Sequence, residues 1–80
     1  MVRVHLGMEL RRFTDGVAEV EVEATTVRKL ISKLDELYPG IGEHLEGTAV
    51  AINGEVIADP IYETVPEAAE VHFVPAPVGG

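Results

Sequence analysis

The sequence predicts an α+β domain in which a sheet of four to five strands packs on one amphipathic helix. Three observations carry this. Apolar and polar residues alternate at 2–6, 17–24 and 70–74, the period of a half-buried strand. Val27, Leu30, Ile31, Leu34 and Leu37 recur at helical spacing. Asn53-Gly54 stands between two apolar runs, the strongest short signal for a β-hairpin. A single helix with one apolar stripe needs a sheet to cover it, so the elements predict one another.

Taken in order, Val2, Val4 and Leu6 alternate with Arg3, His5 and Gly7, which gives a first strand. "FTDG" at 13–16 reads as a turn. A second strand follows at 17–24, with Ala18, Val20, Val22 and Ala24 against Glu19, Glu21 and Glu23. In the helix, Thr25 or Thr26 caps the start and Pro39-Gly40 ends it, while Arg28, Lys29, Lys33, Asp35 and Glu36 lie off the stripe. The stretch 40–47 forms either a helical turn or an irregular link. Residues 48–58 form the hairpin around Asn53-Gly54, and 59–69 connect it to the last strand with room for one helical turn. In that strand Val71 and Phe73 alternate with His72 and Val74. The expected order is β-β-α-β-β-β. The expected core is Val4, Leu6, Val20, Val22, Leu30, Ile31, Leu34, Val50, Ile52, Val71 and Phe73.

Eighty residues make one domain. A chain this short buries roughly 60–65% of its unfolded surface, so its core is small. Lys plus Arg is 6 and Asp plus Glu is 14, a net charge of −8. Such a surface lacks the basic face that nucleic acid or an anionic membrane requires, and it favours a partner with a basic docking surface. There is no cysteine, hence no disulfide, thiolate nucleophile or Cys-based zinc site. The start has no apolar signal core and no run approaches a membrane span, so a cytoplasmic location is expected.

Side-chain catalysis has little to work with. The one serine, Ser32, lies on the helix rather than at a signalled pocket. Glu19, Glu21 and Glu23 alternate as a solvated strand face does, and no metal site is expected there. His5 and His72 share the polar parity of the first and last strands and lie close together if those strands are neighbours. With Val74, an apolar residue where a solvated strand prefers a polar one, they mark a docking surface on the sheet face opposite the helix.

The chain ends "VPAPVGG", and the folded domain is expected to occupy 1–74 with an extended tail at 75–80. Pro75 and Pro77 stiffen the tail and remove two backbone donors. Gly79 and Gly80 remove every side chain from its last two positions. An ionised carboxylate on such a thread fits a narrow channel and reaches the α-phosphate of a nucleotide. The protein would then be a substrate rather than a catalyst.

The order β-β-α-β-β-β, the stretches "VAINGEVI" (50–57) and "EVHFVPA" (70–76), and the terminal "PVGG" resemble the ubiquitin-like β-grasp sulfur carriers of the MoaD/ThiS type. These include the small subunit of molybdopterin synthase and the sulfur carrier of thiamine biosynthesis. The resemblance covers nearly the whole chain and implies a β-grasp fold with a mixed sheet. It further implies that an adenylating enzyme resembling ubiquitin-activating enzymes uses ATP to activate Gly80. Sulfur from a sulfurtransferase or cysteine desulfurase then replaces AMP, leaving a transient thiocarboxylate. An acceptor synthase takes the sulfur in cofactor, thiazole or amino-acid biosynthesis. By position, Gly80 carries AMP and then sulfur, Gly79, Val78 and Pro77 thread the partner's channel, and Val74 belongs to the docking patch. No permanently bound cofactor is implied. The chain acts as a carrier, or as the small non-catalytic subunit of a sulfur-transfer enzyme. Molybdopterin-synthase small subunits usually carry an Asp-Gly-Asp turn before the last strand, where this chain reads Val65-Pro66-Glu67-Ala68-Ala69-Glu70. Two other readings use the same residues: a ubiquitin-like modifier joined to lysines through Gly80, and a β-grasp interaction module with an inert tail.

Overall fold

A computed structural model of the chain describes residues 1–45, 48–58 and 62–74. Its strands are β1 (Val2–His5), β2 (Glu19–Val22), β3 (Ala49–Ile52), β4 (Glu55–Ile57) and β5 (Glu70–Val74), and its helices are α1 (Val27–Leu37) and α2 (Ile41–Leu45). The five strands form one sheet in the order β2-β1-β5-β3-β4. β1 runs parallel to β5, and the other neighbours are antiparallel, so the sheet is mixed. The last strand in sequence thus lies at the centre, with β1 on one side and β3 on the other.

Local chemistry accounts for the joints. The β3–β4 turn has Asn53 at φ 50 and Gly54 at φ 87, the paired left-handed conformation that a two-residue hairpin needs. It fixes the register Ile52↔Glu55 and Ala51↔Val56. The β1–β2 connection is longer and passes through a 3-10 turn at Met8–Leu10. Thr14 closes it: its buried hydroxyl lies 2.9 Å from the carbonyl oxygen of Val17 and 3.2 Å from that of Arg11. Thr26 caps α1 by accepting a hydrogen bond from the Lys29 amide at 3.2 Å. At the other end, Asp35 Oδ1 accepts from the amides of Gly40 (3.1 Å) and Gly42 (3.0 Å), which ties α1 to α2.

Of the expected core, Val4, Leu6, Val22, Leu30, Leu34, Val50, Ile52, Val71 and Phe73 are buried. Val20 and Ile31 are only half-buried and pack against the cluster from its margin. Leu37, placed on the helical stripe, is 53% exposed. It sits on the flank of the stripe in the last turn, and Ile41 of α2, fully buried, fills the core beyond it. The stretch 40–47 therefore yields a true second helix over 41–45, and Leu45 is buried with Ile41. In the described part of the 59–69 connection there is no helical turn. Instead Thr64 bridges to Thr26, with Val27 N–H donating to Glu63 O (3.0 Å) and Val65 N–H to Thr25 O (2.8 Å). This pins the segment over the start of α1 and buries Val65 and Ala69. A hydrogen bond holds the Met1 ammonium 2.7 Å from the Glu67 carboxylate. That bond raises the ammonium pKa and lowers that of the carboxylate.

Candidate functional site

The side chains of a strand alternate between faces, so the residues that do not point at α1 form a second surface. The register aligns one row across it: Glu19 on β2, His5 on β1, His72 on β5, Ala51 on β3 and Val56 on β4. A second row pairs Val74 with Ala49. Ala49 and Ala51 are buried although they lie on this open face. Val56, paired with Ala51 across the ladder, is 63% exposed. The result is an apolar strip along β3, β4 and the end of β5, with imidazoles at its border.

The two histidines meet as their parity predicts. Their rings stack with centroids 4.2 Å apart and planes within 6°. His5 is also held at both edges: Nδ1 lies 3.2 Å from Glu19 Oε1, and Nε2 lies 2.9 Å from Glu70 Oε1. A carboxylate oxygen only accepts, so both contacts are hydrogen bonds when each ring nitrogen carries a hydrogen. Glu70 is positioned by its backbone. Its amide donates to Asn53 Oδ1 at 2.9 Å, and its carbonyl accepts from the Asn53 amide at 2.8 Å. Beside the imidazoles a shallow groove of about 320 Å³ opens between His5, Gly7, Arg11, Glu19 and His72. No group of three or more His, Cys, Asp or Glu side chains among the described residues is arranged to hold a metal ion.

Val74 lies beside this row and is half-buried rather than fully open, because Ala49 faces it across the ladder. Pro77, Val78, Gly79 and Gly80 lie outside the described residues. Their point of departure is described: they follow β5, the central strand, at the end that carries the patch. Ala49, Ala51 and Val56 were missed as patch residues by sequence reasoning. The Asn53-Gly54 turn was the available signal, since its register puts Val56 opposite Ala51.

The profile of the ThiS family matches residues 4–80. No curated protein matches the sequence. Among solved structures, a chain of the Amycolatopsis orientalis BexX/CysO complex is 25% identical, with a TM-score of 0.87 over 100% of both chains. CysO of Mycobacterium tuberculosis is 24% identical, with a TM-score of 0.85 over 96% of this chain and 100% of that one. The small archaeal modifier protein 1 of Methanosarcina acetivorans is 21% identical, with a TM-score of 0.79 over 99% of this chain and 94% of that one. With a β-grasp fold and a family match over nearly its whole length, the chain belongs to the ThiS family, the ubiquitin-like sulfur carriers of the MoaD/ThiS type.

Proposed function

We propose that Gly80 is the chemical end of this carrier. An adenylating enzyme resembling ubiquitin-activating enzymes joins it to AMP from ATP, with release of pyrophosphate. The terminal sulfur of a persulfide on the donor, a sulfurtransferase or cysteine desulfurase, attacks the acyl-adenylate and expels AMP; a thiol then cleaves the resulting acyl disulfide, ending in a disulfide with the donor's cysteine and leaving the thiocarboxylate. An acceptor synthase takes the sulfur for a cofactor, a thiazole or an amino acid. The observation that carries this reading is the extent of the family match, which runs to residue 80 and so includes the Gly-Gly end.

The roles follow from size and charge. Gly79 and Gly80 place no side chain beside the reacting carboxylate, and Pro77 and Val78 lead it into the enzyme's channel. His5, His72 and Val74, with the apolar strip of Ala49, Ala51 and Val56, dock the body of the carrier. The net charge of −8 draws it toward a basic partner surface. In this reading the protein supplies the substrate group and the partner enzyme supplies the catalysis.

Purified full-length protein is incubated with ATP and its adenylating enzyme, then with a sulfide source. Pyrophosphate release and intact mass are recorded. The full chain releases pyrophosphate and gains the mass of one oxygen exchanged for sulfur. A chain ending at Val78, or carrying Gly79→Val, keeps its melting temperature and is not activated. A branched side chain there blocks the approach of reacting atoms to roughly 3–3.5 Å. Activation of the truncated chain as fast as the full one would overturn this reading in favour of an interaction module. A lysine conjugate in place of the thiocarboxylate would identify a protein modifier.

A further inference from the structure

β2 is a free edge of the sheet, and its main-chain polarity can be read from the ladder. The Leu6 amide donates to the Ala18 carbonyl at 2.7 Å, and β1 pairs with β2 through Val4↔Val20 and Val2↔Val22. In an antiparallel pair the direction of the backbone groups alternates. Ala18, Val20 and Val22 therefore turn their N–H and C=O groups to β1, while Glu19 and Glu21 turn theirs outward. The far side of β1 agrees, since the Arg3 amide donates to Ala69 beside β5. Among the described residues nothing covers the outward groups of β2.

A groove of about 380 Å³ adjoins this edge, between the end of β2 and the last turns of α1. Met1, Val22, Glu23, Lys33, Glu36 and Leu37 line it. Leu37 is 53% exposed and Met1 59% exposed, so the lining includes large apolar side chains left open to water. Glu19, Glu21 and Glu23 are exposed along the same edge. A second copy of β2 laid against this edge brings glutamates against glutamates, which opposes self-pairing. A strand with basic residues at alternate positions meets the opposite condition.

We propose that the β2 edge takes up an extended segment of a partner protein by strand addition, a segment in which Lys or Arg alternates with aliphatic residues. Its backbone pairs with the outward N–H and C=O groups of Glu19 and Glu21. Its basic side chains lie over the glutamates on the open face, and an aliphatic side chain on the other face enters the groove against Val22 and Leu37. β1 separates this edge from β5, so the segment leaves the tail-bearing strand, with His72 and Val74, uncovered. A protein held here stays bound while the C-terminus is engaged elsewhere. The proposal stands apart from the chemistry at Gly80 and survives its failure.

The test uses the full chain, labelled with nitrogen-15, and a short end-blocked peptide of alternating lysine and valine. A second peptide carries the same side chains with every backbone nitrogen methylated, and a third carries glutamate for lysine. Binding is followed by calorimetry, amide chemical shifts and amide exchange. The lysine–valine peptide binds, slows exchange of the Glu19 and Glu21 amides and shifts Leu37. Methylation, which removes the backbone donors, abolishes binding at unchanged charge and unchanged side chains. The glutamate peptide does not bind. Leu37→Asp weakens binding by about tenfold or more with the melting temperature unchanged, because the side chain is already half in water. Equal binding of the methylated peptide, unprotected Glu19 and Glu21 amides, or absence of binding would each overturn the proposal. So would a dimer formed through this edge in the absence of peptide.

Discussion

The two faces of the sheet come from the same strands and follow opposite rules. Toward α1 they present Val4, Val22, Val50, Ile52, Val71 and Phe73, sealed by Leu30 and Leu34. Away from it they present Arg3, His5, Glu19, Glu21, Glu70, His72 and Val74, with small alanines at 49 and 51. On the first face volume decides what is allowed, because close packing leaves no room for error. On the second, charge, hydrogen bonding and exposed shape decide it. One residue step along a strand therefore separates a position fixed by packing from one on the proposed docking face.

The sharpest way to break this contrast is to empty the inner face. Leu34 is fully buried between helix and sheet. Leu34→Ala is expected to cost about 2–5 kcal/mol through lost burial and the cavity left behind, much of the stability of so small a domain. Urea and thermal denaturation measure it. An unchanged melt would mean that α1 is not the cover of the sheet.

The counterpart on the outer face is Val74→Asp. It leaves the core intact and places an unpaired charge in the proposed docking contact. Affinity for the adenylating enzyme is expected to fall by about tenfold or more, with only a small loss of stability. Calorimetric titration checks this, and unaltered affinity would move the docking surface away from β5.

The smallest effect is expected where neither face is touched. Ala68, in the turn before β5, has φ 61, a left-handed conformation that L residues with a Cβ adopt at a cost of about 1–2 kcal/mol. Glycine removes that strain but adds chain entropy worth roughly 0.5–1 kcal/mol. Ala68→Gly is therefore expected to stabilise the fold by up to about 1 kcal/mol, read from denaturant unfolding, without altering partner affinity. A loss of stability would show that the turn is not strained.

Much of this division was legible in the sequence, because period and turn chemistry are local. Alternation sorted His5, His72 and Val74 from Val4, Val71 and Phe73. Asn53-Gly54 determined the hairpin register. What stayed hidden depends on distant pairing. The stack of His5 on His72 needs the parallel register of β1 with β5, which joins residues nearly a whole chain apart. Glu70 reaches His5 by the same register and is itself oriented by Asn53. Leu37 shares the helical stripe yet lies open, because periodicity identifies a stripe but not where its flank leaves the sheet. Val65 and Ala69 belong to no periodic run, and only the bridge of Thr64 to Thr26 explains their burial.

The central place of β5 has a mechanical consequence. If the tail threads a partner's channel as proposed, tension on it reaches the strand that precedes it. Were that strand at an edge, pulling sideways would open its single ladder one bond at a time. β5 is gripped on both sides, by β1 running parallel and by β3 running antiparallel. Tension along its axis loads both ladders in shear, and their bonds must yield together. Gripped on both sides, β5 resists such a pull better than an edge strand would.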